Sequence, residues 1–250
     1  MLKTERLDQT ISIKPPYDFK AGSILLVDKP LNWTSFDVVN KIRFRLKFLL
    51  KVKKIKVGHA GTLDPLATGL LIICTGKATK LLQSFQGLDK TYTGIITLGA
   101  TTPSYDLETE IDTSYPTEHI TPPLIESTRQ QFLGPIEQMP PQFSAIKVKG
   151  VPVYKKAREG TKVELKTRNV SIHQFEFPKI DLPHLHFQVD CSKGTYIRSL
   201  AHDFGQALNS GGHLTQLCRT RIGDYHLEDA WNLEELVAYL EEMEKSSPPT

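Results

Sequence analysis

An α+β fold is predicted for this chain, and three observations predict it. Strand-like and helix-like segments interleave along the sequence without a regular βαβ rhythm. "LHFQVDCS" alternates strictly, placing Leu185, Phe187, Val189 and Cys191 on one face of a half-buried strand. At least two segments carry helix punctuation together with apolar residues at helical spacing.

Taken in order, residues 1–22 read as a polar lead-in. "SILLVDKP" (23–30) reads as a strand that stops before Pro30. "TSFDVVNKIRFRLKFLL" reads as a helix opened by a capping box, Thr34 with Asp37 in place of the usual Glu or Gln. Phe36, Val39, Ile42, Leu46 and Leu49 are expected on its inner face. From 41 to 56 there are eight Lys or Arg and no acid. "TYTGIITL" (91–98) reads as a strand. The Pro-, Thr- and acid-rich stretch 101–123 reads as a long connection, mobile or functional. "PPLIESTRQQFLG" reads as a helix with Thr121 as N-cap, Pro122 at its first position and Gly134 after its end. "TYIRSLAHDFGQAL" returns to helical spacing through Ile197, Leu200, Ala201, Phe204 and Leu208. An acidic helix from about Asn232 to Met243 and a frayed "SSPPT" tail close the chain.

The 250 residues suit one large domain, and 39% hydrophobic content suits a real core. No apolar run is long enough to span a membrane and the first ten residues lack a secretory h-region, so a cytoplasmic protein is expected. Cys74, Cys191 and Cys218 lie far apart without a CxxC pattern, which argues against a disulfide framework or a metal site. The net charge of +3 is unevenly placed: residues 228–244 hold seven acids and no Lys or Arg, leaving 31 basic residues against 21 acidic ones elsewhere. Either a polyanionic partner or a solvated lysine surface accounts for that imbalance.

The most informative stretch is "GHAGTLDPLATGLL" (58–71). Taken alone, Asp64 before Pro65 reads as a helix start. Its surroundings suggest chemistry instead. Gly58, Gly61 and Gly69 permit unusual backbone and close approaches, and a glycine-flanked loop beside a strand is where a reacting carboxylate is placed. A lone carboxylate does not suit glycosidases, which use two, nor magnesium-dependent phosphoryl transfer. A single nucleophile or base needing a cation beside it remains.

In five blocks the chain resembles the TruB family of tRNA pseudouridine synthases. These are "LLVDKPLNWTSFDVV", "VGHAGTLDPLATGLL", "DKTYTGIITLGATTPSYDLE", "PPQFSAIKVKGVPVYKKAREG" and "CSKGTYIRSLAHDFGQALNSGGHLTQLCRTRIG". They cover about residues 23 to 225. The resemblance implies the pseudouridine synthase fold, a mixed, largely antiparallel sheet flanked by helices with a central RNA-binding cleft. It implies isomerisation of uridine 55 in the T arm of tRNA, on a flipped-out nucleotide and without cofactor or metal. Asp64 would be the nucleophile, acting at C1′, by assisting base departure toward a glycal, or at C6. Arg198 would keep that aspartate ionised. Tyr92 would stack on the base and assist removal of the C5 proton, Tyr196 and Leu217 would line the pocket, and His59 would fill the space the base vacates. Lys29, with Pro30, would support the loop from behind. The basic stretch 41–56 and the lysines of "AIKVKGVPVYKKAREG" (145–160) are candidate phosphate contacts.

Several positions depart from the family pattern. Asn32 stands where Gly is usual, tolerable because Asn visits left-handed backbone. Phe143 stands for a usual Tyr. Residues 23–230 are read as the catalytic domain, and 231–250, one acidic helix and a tail, are too few for the PUA-type RNA-binding domain many relatives carry. "PLATG" after the aspartate, rather than PKVTG, together with the missing PUA-type domain, favours a stand-alone enzyme over a guide-RNA-dependent one of the dyskerin type, and a monomer is expected. A tRNA-folding chaperone without chemistry is the reading from another class.

Overall fold

The structure, a computed structural model, describes residues 11–144, 146–148 and 150–246. In chain order the elements are β1 (Ile24–Lys29), α1 (Ser35–Leu49), β2 (Val57–Ala60), β3 (Ala67–Thr75), α2 (Leu82–Gln86), β4 (Lys90–Leu98), β5 (Ala100–Thr101), β6 (Thr113–Ser114), α3 (Pro122–Gln130) and β7 (Gly134–Gln138). Then come β8 (Lys147–Val148), β9 (Val151–Pro152), α4 (Val153–Arg158), β10 (Arg168–Asp181), β11 (His184–Cys191), α5 (Ile197–Ala207), β12 (Gly212–Ile222), β13 (Tyr225–His226), β14 (Trp231–Asn232) and α6 (Leu233–Ser246). Antiparallel pairs joined with a parallel β1–β14 pair, and helices laid against them, make this an α+β fold.

The chain gathers into two compact units, one of residues 1–88 and 218–250 and one of residues 89–217. In the first, β3 pairs with both β1 and β2. Neither face of β1 and β3 meets water, so their side chains alternate between two apolar layers. Leu25, Val27, Leu71 and Ile73 pack with α1 and α6, while Ile24, Leu26, Leu70, Ile72 and Cys74 pack with Ala78 and Phe85. α6 buries Leu233, Leu236 and Leu240 and joins its acidic surface to α1 through the Arg45–Glu241 ion pair. Residues 11–22, read as a polar lead-in, bury Phe19, and Trp231 donates to the Tyr17 hydroxyl at 3.0 Å. Residues 1–10 and 247–250 lie outside the described residues.

In the second unit β4, β11, β10 and β7 form an antiparallel order. Phe132, Phe175, Phe177, Phe187 and Phe204 meet edge-on or tilted between the sheet, α3 and α5. β12 starts in this unit and finishes in the first.

The capping box at Thr34 and Asp37 is present, Thr121 caps α3 with Pro122 next, and Asn32 has φ 64°. Three expectations need correction. Val39, Ile42, Leu46 and Leu49 face inward as expected, but Phe36 is 58% exposed, and Ser35 and Val38 take the inner positions of the first turn. Gly134 does not close α3, which ends at Gln130, but opens β7 at φ 84°. No helix follows Asp64: residues 64–67 turn, with the Ala67 amide donating to the Asp64 carbonyl at 3.1 Å, and run into β3.

Candidate active site

The sequence-predicted residues fall into two groups, one per unit. Lys29, His59 and Asp64 belong to the first, and Tyr92, Tyr196, Arg198 and Leu217 to the second.

Asp64 is half-buried on the loop between β2 and β3. Four neighbouring residues hold that loop by its backbone. The buried Ser35 hydroxyl, at the start of α1, accepts from the Leu63 amide at 2.8 Å and donates to the Leu63 carbonyl at 3.2 Å. The Asn32 amide donates to the Pro65 carbonyl at 2.9 Å. The Lys29 ammonium, fully buried at the end of β1, donates to the carbonyls of Trp33 (2.6 Å), Pro30 (2.9 Å) and Pro65 (3.4 Å). Arg219, equally buried on β12, donates to Leu70 (2.8 Å) and Gly61 (3.1 Å). Gly69, at φ 104°, is required here, because a Cβ would stand 2.4 Å from the Arg219 carbonyl oxygen.

Burial pulls the Lys29 ammonium from its usual 10.5 down to about 8, against a smaller opposing attraction from Asp64. The folded chain therefore releases this proton earlier than the unfolded chain. Between about pH 8 and 10.5 the unfolded state binds more protons, so this group makes stability rise with pH across that window. We expect the denaturant midpoint of the wild type, relative to Lys29→Met, to climb between pH 8 and 10. A constant difference would mean the ammonium is not held as described. His59, half-buried on β2, has its pKa lowered by burial, so its ring is neutral at pH 7 and suits stacking rather than charge pairing.

In the second unit Arg198 lies in the first turn of α5, the wrong end of a helix dipole for a cation, and is only 3% exposed. Compensation comes from the stretch 101–112. The Asp106 carboxylate lies 3.5 Å from the Arg198 Nε, and the carbonyls of Ser104 and Phe143 accept from its two terminal nitrogens at 3.1 and 2.8 Å. Asp106 is itself fixed: its carbonyl accepts from the Thr102 and Ser104 hydroxyls, and its carboxylate accepts from the Glu108 amide. β5 pairs with β6 across the base of this segment. The connection expected to be mobile or functional is thus a hydrogen-bonded loop through Asp112.

Tyr196 has no side-chain N-cap; buried Gln138 substitutes, accepting from the Tyr196 amide at 2.7 Å and donating to its carbonyl at 3.0 Å. The Arg168 guanidinium sits 5.1 Å from the Tyr196 ring centroid. Tyr92 is buried on β4 opposite Val189, and Leu217 is half-buried on β12. Sequence reasoning gave no role to Arg219, Ser35, Asp106 or Gln138. Arg219 and Asp106 stood inside recognised blocks, but a buried charge reads like a surface one until its partners are known.

Among the described residues no group of His, Cys, Asp and Glu is arranged to hold a metal ion, and no helix is long and apolar enough to cross a membrane.

Comparison with known proteins gives concordant matches. The N-terminal-domain model of the TruB family pseudouridylate synthases matches residues 47–197, and a tRNA pseudouridylate synthase B C-terminal-domain model matches residues 198–248. The chain is 58% identical over 227 residues to the tRNA pseudouridine synthase B of Phocaeicola vulgatus, covering 91% of this chain and 97% of that one. It is 59% identical over 218 residues to that of Flavobacterium johnsoniae, covering 86% and 94%. Among solved structures, an H/ACA ribonucleoprotein bound to a substrate RNA containing 2′-deoxyuridine contains a chain 26% identical, with a TM-score of 0.66. The match covers 92% of this chain and 57% of that one. A Cbf5–Nop10–Gar1 complex matches at 28% identity and a TM-score of 0.65, covering 91% and 60%.

Proposed function

The chain belongs to the TruB family of tRNA pseudouridine synthases, and from that premise we propose how its residues convert uridine 55 of the tRNA T arm to pseudouridine. The reaction breaks the C1′–N1 bond, turns the uracil, forms the C5–C1′ bond, releases the C5 proton and protonates N1, so that the product is an isomer of the substrate. No electrons are exchanged with a cofactor. Asp64 is the proposed nucleophile and Arg198 its proposed counter-charge. Tyr92, Tyr196 and Leu217 would receive the everted base, with Tyr92 assisting proton removal from C5. Neutral His59 would occupy the stack the base leaves, offsetting part of the few kcal/mol that eversion costs. Lys29 would hold the loop.

The observation that carries this reading is the Asp64 loop, fixed at Gly61, Leu63 and Pro65 by Arg219, Ser35, Asn32 and Lys29. A carboxylate so placed acts without reorganising its support, which is how orientation lowers a barrier. We propose further that the protein works alone, as a cytoplasmic monomer needing neither guide RNA nor metal. Its likeness to chains of H/ACA complexes makes the guide-dependent mode the alternative to exclude. Purified protein incubated with an unmodified tRNA transcript is expected to place pseudouridine at position 55, read by mass mapping. Modification only on addition of a guide RNA would favour the alternative, and none under either condition would sink both.

A further inference from the structure

The outer face of α1 is built in a way its folding does not require. Phe36, Phe44 and Phe48 are 58%, 53% and 52% exposed, and all lie away from the stripe that packs inward. Three half-wet aromatic rings on one helix are an unexplained apolar surface. The rings of Phe44 and Phe48 stand 4.7 Å apart at 53°, and the Arg43 guanidinium lies 5.9 Å from the Phe36 centroid. The segment that carries Phe44 and Phe48 is itself basic, and the acids near it come from α6, where Glu241 pairs with Arg45. Lys41 and Lys47 are on the helix, Lys51, Lys53, Lys54 and Lys56 follow it, and no acid occurs from 41 to 56. The helix's own acid, Asp37, is engaged in the cap. Planar rings carried on a segment rich in cations suit unpaired nucleotides, whose bases stack and whose phosphates take the charge. A purely apolar protein partner would gain nothing from the eight Lys and Arg of 41–56.

Position narrows the occupant. The first residue of α1, Ser35, touches the Asp64 loop. At 1.5 Å per residue, Phe44 and Phe48 lie about 14 and 20 Å further along the axis. A stacked strand rising about 3.4 Å per nucleotide needs roughly four to six nucleotides to cover that span. To reach both rings a strand leaving the target base must stay unpaired over that whole length, which a short closed loop does not allow. We propose that the outer face of α1 and the lysines of 51–56 bind unpaired nucleotides of the tRNA that lie outside the T-arm hairpin. This rests on the tRNA reading above.

The test compares full-length tRNA with an isolated T-arm hairpin, using wild type and Phe44→Ala/Phe48→Ala. Affinity for full-length tRNA is expected to fall about tenfold in the double variant, with hairpin affinity and single-turnover rate unchanged. Short oligouridylate should compete with tRNA for the wild type but not for the variant. Equal affinity of the two proteins for tRNA, or equal losses on both RNAs, would overturn the proposal. So would unchanged tRNA affinity accompanied by lost binding to phosphatidylserine vesicles or lost self-association in sedimentation. Phe48→Trp, which keeps a planar ring, is expected to retain affinity and to have its fluorescence quenched by oligouridylate; an unquenched signal counts against stacking. Wild-type activity on the hairpin checks the function separately, so the two readings fail by different results.

Discussion

Replacing Asp64 by asparagine is expected to lower pseudouridine formation by at least about 10⁴-fold, the order seen when a reacting nucleophile is removed, while tRNA affinity stays within about twofold. The two side chains have nearly the same shape, but an amide does not attack a sugar carbon. The loop should survive the change, because what fastens it are bonds to the backbone of Gly61, Leu63 and Pro65. A corollary concerns Lys29. Burial lowers its pKa, and attraction to Asp64 opposes that shift; with the charge at 64 gone, Lys29 should release its proton at lower pH than in the wild type. Single-turnover assays and filter binding decide the main claim. Activity within tenfold of wild type would remove Asp64 from the chemistry.

Arg198→Lys is expected to cost about 10²- to 10³-fold in turnover and about 1–3 kcal/mol in stability. The guanidinium reaches Asp106, the Ser104 carbonyl and the Phe143 carbonyl together. A shorter, single-pointed ammonium cannot span those three directions from the same helix position. Arg198→Ala should lose more stability, about 3–5 kcal/mol, because it strands the nearly buried Asp106 carboxylate, 5% exposed. Denaturant midpoints and turnover measured together separate the two effects. A lysine variant with full turnover would show that the fork itself is dispensable.

Where structure is set by local chemistry it was legible. The capping box at Thr34, the Pro122 helix start, the alternation through Leu185 to Cys191 and the left-handed backbone of Asn32 depend on residues within a few positions of one another. Where it is set by distant partners, sequence patterns were mute. β12 mixes Leu214, Gln216 and Arg219 without a clean apolar face, since its sides meet different surroundings in the two units. Asp106 and Arg198 are 92 positions apart in the chain, and nothing local distinguishes a buried carboxylate in "SYDLE" from a solvated one. Asp64 stood out as a candidate because glycines flank it, yet Asp-Pro also pointed to a helix that does not form.

The backbone fastening of the 61–66 loop separates placement from identity. Since Ser35, Lys29 and Arg219 grip main-chain atoms, the side chains at Thr62 and Leu66 are open to exchange without slackening the grip. A library randomised at those two positions should yield mostly folded proteins, so the scaffold lends itself to laboratory evolution toward other uridine contexts.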